Sequence, residues 1–182
     1  DWRLVIFSTA FDDSLERAFV MVGQPYHLFA YHHRAVDADG VVQPGRFVHL
    51  PPANGPTNTP IELLTPNDYH GHDGDRYPVI VKLCGLHITR DPGSVVVTEG
   101  QYLEYLPGQD IGALLPPTLL DQVRKRTFVF FGCTSQEWHF RLLWQRMRYQ
   151  KSRLHAKGWA ILPQPNEIEM KFWGRLDREI EP

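Results

Sequence analysis

The sequence predicts an α/β fold with a mainly parallel sheet, and three observations carry that expectation. Short apolar runs alternate along the chain with segments of helical spacing. The strongest runs, Val79-Ile80-Val81 and Phe128-Val129-Phe130-Phe131, show no polar alternation, as in strands buried on both faces. Small-residue turns and helix-capping signals follow several of them, as strand-to-helix junctions require. At 182 residues, with 42% apolar content and 22% charge, the chain suits one globular domain, 1–182, that needs no staples.

Arg3–Ser8 reads as a strong strand with no polar lead-in. Opening on a buried-type strand suggests that a segment before Asp1 is missing and that this is a piece of a longer chain. Leu15, Ala18, Phe19 and Val22 have helical spacing, ended by Gly23 with Pro25 close behind, so a helix is expected over 13–22. Tyr26–Tyr31 reads as a strand. From 32 to 76 the composition shifts to Pro, Gly, Asn, Asp and His, a long irregular insertion with short extended pieces only at 46–50 and 61–64. Connections of that length are usually functional or partly disordered.

Tyr77–Gly85 returns to a buried strand and turn, and Ser94–Val97 is a further β-branched run. Thr98 and Gln101 have capping-box spacing, and the helix through Tyr102, Leu103, Tyr105 and Leu106 is expected to stop before Pro107. Ile111–Arg126 is amphipathic, but Pro116-Pro117 must break or restart it. After the Phe128 strand, Thr134 and Glu137 also have capping-box spacing, which places a helix over about 135–149. A strand at 159–162, a helix over about 166–173 and a short strand near 178–180 complete the reading.

A net charge of -2 gives no reason to expect nucleic acid or an anionic membrane as partner. Cys84 and Cys133 suit reduced thiols better than a disulfide scaffold. No apolar run approaches the roughly 20 residues that span a bilayer, and nothing resembles a signal peptide, so a soluble, cytoplasmic chain is expected.

Ligands of open α/β sheets bind beyond the carboxyl ends of strands. Four such ends carry candidate chemistry: Ser8–Asp13, Leu83–His87, Thr98-Glu99 and Gly132–Thr134. No Gly-rich dinucleotide fingerprint or phosphate-cradling loop occurs in the chain. His70, His72 and Asp73 form a compact cluster, yet closed metal-ligand spacing is missing, so a solvated turn is the better explanation and no metal is expected. A Cys84–His87 nucleophilic pair is disfavoured, because residues three apart on a strand and its turn point away from each other. Trp138, Phe140, Leu142, Leu143 and Trp144 recur at helical spacing and read as a core stripe.

Four blocks occur in order: Phe7–Glu16, Pro78–Gly85, Val96–Tyr102 and Phe131–Arg141, with Gly158–Ile161 and Phe172-Trp173 behind them. Together they resemble bacterial sirtuin-like domains over most of the chain. The resemblance implies a Rossmann-like domain, helices on both faces of its sheet, that binds NAD or ADP-ribose. Active relatives break the nicotinamide–ribose bond, and many deplete NAD in anti-phage defence. It further implies cofactor contacts at Thr9, Asp12, Gly132, Cys133 and Thr134. The family's first block reads Thr-Thr-Asn-Tyr-Asp and its second Lys-Ile-His-Gly, with the Asn at the nicotinamide ribose and the His as base or ribose partner. This chain has Ala10 in place of that Asn and Cys84 in place of that His.

Alanine offers no donor or acceptor, and a thiol of ordinary pKa, about 8.5, substitutes poorly for imidazole. Losing a general base typically costs about 100- to 10,000-fold in rate. The expectation is therefore a catalytically impaired nucleotide binder, a pseudoenzyme. One alternative is an active NAD glycohydrolase in which Cys84, His87 or an upstream residue supplies the base. Another is a scaffold or oligomerisation module within a larger defence protein, joined to other domains or subunits.

Overall fold

The computed structural model describes residues 4–33, 35–36, 42–43, 45–52, 61–62, 69, 77–86, 95–108, 115–124, 126–134, 136–149 and 159–178. The chain divides into two compact units, one formed by Asp1–Gln109 with Leu114–Pro116, the other by Asp110–Ala113 with Pro117–Pro182.

The first unit contains, in order, β1 (Val5–Ser8), α1 (Ser14–Met21), β2 (His27–His32), β3 (Ala35–Val36), β4 (Val42–Gln43), β5 (Arg46–Leu50), β6 (Ile61–Glu62), β7 (Val79–Lys82) and α2 (Glu99–Gly108). Five of the strands form one sheet in the order β1-β7-β2-β5-β6. β1, β7 and β2 are parallel, while β5 and β6 extend the sheet antiparallel. Every residue of β7 is buried, as its unbroken Val-Ile-Val run predicts for a strand with neighbours on both sides. β1 carries a similar sequence but is only half-buried, because it pairs on one side alone among the described residues. Within 32–76, β5 and the first two residues of the 61–64 piece form where short extended stretches are expected, and β3 pairs with β4 besides.

Helices cover both faces of this sheet. Leu15 and Phe19 of α1 pack on Leu28, Ala30, Ile80 and Leu86. On the opposite face the ring of Tyr105 from α2 lies 4.4 Å from that of Tyr31. α1 ends where Gly23 adopts φ +66, a conformation that only glycine takes without strain. α2 begins with the expected capping box: the Gln101 N–H donates to Thr98 Oγ1 at 3.3 Å, and Gln101 Oε1 accepts the Thr98 N–H at 2.9 Å. The helix continues past the expected stop to Gly108. This close to its end, Pro107 removes one hydrogen bond and does not halt the last turn. Ser94–Val97 does not form the expected strand, since its described part, Val95–Val97, has no ladder partner. The Val96 N–H donates to the Cys84 carbonyl and the Val97 N–H to Gln101 Oε1, so these groups are committed to a turn and a cap.

The second unit contains α3 (Pro117–Arg124), β8 (Val129–Phe131), α4 (Trp138–Tyr149), β9 (Trp159–Ile161) and α5 (Glu167–Arg178). The expected restart at Pro116-Pro117 is found, with Pro117 in the first helical position. β8 and β9 are parallel, with Val129 opposite Trp159 and Phe131 opposite Ile161. Phe130 points into an aromatic core, 4.7 Å from Trp144 and 4.9 Å from Trp173; Phe140, Leu143 and Trp144 of the expected stripe are buried, whereas Trp138 is half-buried and Leu142 is exposed. β8 is not buried on both faces, however. Val129 and Phe131 are 49% and 70% exposed, because among the described residues the aromatic side chains of α4 and α5 meet the Phe130 side.

α4 starts at Trp138, not near 135. The Glu137 N–H turns back to the Thr134 carbonyl at 3.4 Å, and the Glu137 carbonyl accepts the first helical bond, from Arg141. Asn166 caps α5 through its side chain, with Oδ1 accepting the Glu169 N–H at 2.9 Å. That helix runs beyond the expected end at Trp173 as far as Arg178, so Arg178 is helical where a short strand is expected; Glu179 and Ile180 lie outside the described residues.

Candidate functional site

β1 and β7 lie side by side and end in step. Ser8 is opposite Lys82, and the Leu83 N–H donates to the Ser8 carbonyl at 2.9 Å. The segments Thr9–Asp13 and Leu83–Gly85 therefore leave the sheet at the same, carboxyl-terminal edge. Two of the candidate strand ends meet there.

Lys82 organises that edge. Its side chain is fully buried, and its Nζ donates to the carbonyls of Ala10 at 3.1 Å and Asp12 at 2.5 Å. Glu16 Oε1, also buried, lies 3.2 Å from the same ammonium. Isolated buried charges are severely penalised, so each of these groups depends on the other. The pair follows from local structure. Lys82 shares the face of Ile80, against which α1 packs, and Glu16 lies on the turn of α1 that meets this face.

Of the candidate residues in this loop, Thr9 is half-buried while Ala10 and Asp12 are exposed. Asp12 Oδ1 accepts the Ser14 N–H at 2.9 Å, and this bond holds its carboxyl below the usual carboxylate range. Asp12 thus shapes the turn into α1. Ala10 presents only a methyl group.

Cys84 follows two residues after Lys82, before the turn at Gly85 with φ +89. Its Sγ is 3.4 Å from the hydroxyl of Tyr102, so α2 and the third sequence block reach the same edge. Burial pushes the Cys84 thiol up to about 11, against the opposing pull of the Tyr102 contact. At neutral pH the group is a protonated thiol, which can accept no proton as a base. His87 lies outside the described residues, as do His70, His72 and Asp73.

The fourth block lies in the second unit. Gly132 follows β8 with φ +64, and its N–H donates to the Ile161 carbonyl at 3.2 Å. Cys133 is half-buried; burial raises its thiol and the nearby Glu137 carboxylate adds to the rise. Thr134 contributes its carbonyl to the turn before α4. Both cysteines are free thiols. No cluster of three or more metal-ligating side chains occurs among the described residues, and no described helix is long and apolar enough to cross a membrane.

The family model for the SIR2-like domain matches residues 4–179. The chain belongs to that family. No curated protein and no solved structure matches it. In this SIR2-like domain the parallel core, with α1 and α2 on opposite faces of the larger sheet, is the Rossmann-like arrangement that the sequence blocks imply. Three of the four blocks, around Ala10, Cys84 and Tyr102, touch within the first unit of the SIR2-like domain.

Sequence reasoning missed Lys82, Glu16 and Tyr102 as members of this edge. A signal was present for the first two: a lysine inside an otherwise apolar strand run, and a glutamate beside Leu15 on the apolar side of α1. Buried charges of that kind require partners. Nothing in the spacing of Tyr102 marks it, since its partner lies 18 residues away across the fold.

Proposed function

We propose that this SIR2-like domain binds NAD or ADP-ribose at the carboxyl edge of β1 and β7 and does not cleave it efficiently. The supporting observation is the meeting of the Ala10 loop and Cys84 at one strand edge, where ligands of α/β sheets bind. Thr9 and the loop backbone offer contacts there, and Asp12 holds the loop's shape. Gly132, Cys133 and Thr134, at the end of β8 and before α4, are further candidates for nucleotide contact.

Impairment follows from chemistry. Hydrolysis of the nicotinamide–ribose bond needs a polar group on the ribose and a base near neutral pKa. Ala10 supplies no polar group, and the Cys84 thiol keeps its proton up to about 11. The active alternative then rests on His87. In this reading the domain is an impaired nucleotide binder related to NAD-cleaving anti-phage effectors.

Calorimetric titration of the full-length protein with NAD and ADP-ribose tests the binding. The expected result is saturable heat with a matching rise in thermal midpoint. No heat and no thermal shift at millimolar ligand overturn it. Elution as a large assembly, indifferent to nucleotide, would instead identify a scaffold. Nicotinamide release from NAD by the intact protein overturns the impairment.

A further inference from the structure

The geometry points to Lys82, with Glu16 as its counter-ion, as the positioning residue of this edge: it shapes the nucleotide-binding loop through the loop's backbone and does not touch the ligand. The inference rests on the NAD or ADP-ribose reading above.

An ammonium has three N–H donors. Those of Lys82 have three partners within reach: the Ala10 carbonyl, the Asp12 carbonyl and Glu16 Oε1. The side chain is fully buried. No donor is left over for a bound nucleotide, so any effect on binding must pass through the groups that Lys82 holds. Two of those groups are alternate peptides of the loop between β1 and α1, the segment carrying Thr9, Ala10 and Asp12.

The consequence for the loop is directional. In a trans peptide the N–H points opposite to the carbonyl that precedes it. With the Ala10 and Asp12 carbonyls drawn onto the ammonium, the N–H groups of Phe11 and Asp13 face away from it. Lys82 thereby fixes which backbone groups turn inward and which remain available at the outer side. Ala10 gives the loop no polar side chain, so backbone orientation carries more of any recognition here.

A purely stabilising role fits less well. Replacing a buried ion pair by apolar residues of similar volume is often neutral or favourable for stability. A pair whose cation also takes two loop carbonyls does something that apolar packing cannot: it dictates one conformation of the backbone.

The test separates stability from shape. The full chain is compared with Lys82→Met, with the double variant Lys82→Met/Glu16→Leu, and with Lys82→Arg. Thermal midpoint, ADP-ribose affinity by calorimetry and hydrogen exchange of the 9–13 segment are read for each. Lys82→Met alone lowers the midpoint, because Glu16 is left buried without its cation. The double variant recovers most of the midpoint but binds ADP-ribose at least roughly ten-fold more weakly, with faster exchange confined to 9–13. Lys82→Arg keeps the charge and the fold and also weakens binding, since a forked guanidinium cannot replace a point donor between two carbonyls. Wild-type affinity in the double variant or in Lys82→Arg, within about two-fold, overturns the positioning role. If wild-type protein itself takes no ADP-ribose, the binding reading fails, and unchanged exchange at 9–13 in the double variant then rejects the loop-shaping role on its own.

Discussion

On the α1 face of the larger sheet, Leu28, Ala30 and Ile80 pack against Leu15 and Phe19, and the Lys82–Glu16 pair is buried beside them. On the α2 face the interior is made of rings. His27 Nδ1 lies 3.0 Å from His49 Nε2, the His49 ring stacks 4.5 Å from Phe29, and Tyr31 meets Phe47 at 5.6 Å and Tyr105 at 4.4 Å. One face buries full charges and matches them one to one. The other buries polar rings that hydrogen-bond and stack. The first arrangement concentrates its energy in one pair, whereas the second spreads it over many modest contacts.

The largest expected effect lies on the charged face. Lys82→Met leaves a carboxylate buried without its cation, a change that costs about 3–5 kcal/mol in such settings. Urea denaturation measures it, and a loss below about 1 kcal/mol would break the contrast.

An alkaline titration probes the α2 side. Burial pushes the Cys84 thiol up to about 11 and the Tyr31 phenol up to about 12. Their folded values exceed the unfolded ones, so the unfolded chain loses these protons first and stability falls as pH rises. Up to about pH 8 it stays constant on this account; between about pH 9 and 11 Cys84 withdraws on the order of 2–3 kcal/mol. Denaturation midpoints at pH 8 and pH 10.5 should show the drop, and Cys84→Ala should remove most of it, leaving the smaller part due to Tyr31.

Smaller effects sharpen the same comparison. His49→Phe keeps a ring but removes the bond to His27, for an expected loss of about 1–3 kcal/mol. Thr98→Ala removes one half of the α2 capping box, typically worth about 1 kcal/mol, and should leave Lys82-dependent properties unchanged. A Thr98→Ala loss as large as that of Lys82→Met would show that α2, not the ion pair, dominates the edge.

Local signals were the legible part of this fold. Thr98 with Gln101, Gly23 after α1 and Pro117 opening α3 each depend on neighbours a few residues away, and each forms as its spacing predicts. The apolar run at Phe128–Phe131 was misleading because hydrophobicity marks a strand but not how many of its faces find cover. Val95–Val97 failed for a similar reason: β-branching permits extended backbone, yet pairing depends on where the next cap draws the N–H groups. At the candidate edge, the strand-end rule grouped the segments that carry Ala10 and Cys84, and the four-block resemblance singled out those two residues. The ion pair that holds the loop joins residues distant in sequence, a link that no periodicity encodes.

The order β1-β7-β2 also constrains how a growing polypeptide can assemble. β1 and β2, both made before β7, flank a gap that this much later segment must fill, and β1 has no other neighbour among the described residues. Long-range pairing of this kind slows folding, because a large loop must close before any contact rewards it. Lys82 is the last residue of the inserted strand, so the loop it gathers can take shape only after that insertion. Nascent chains stalled before residue 79 should therefore leave the 9–13 segment open to protease, and chains stalled well beyond residue 82 should protect it.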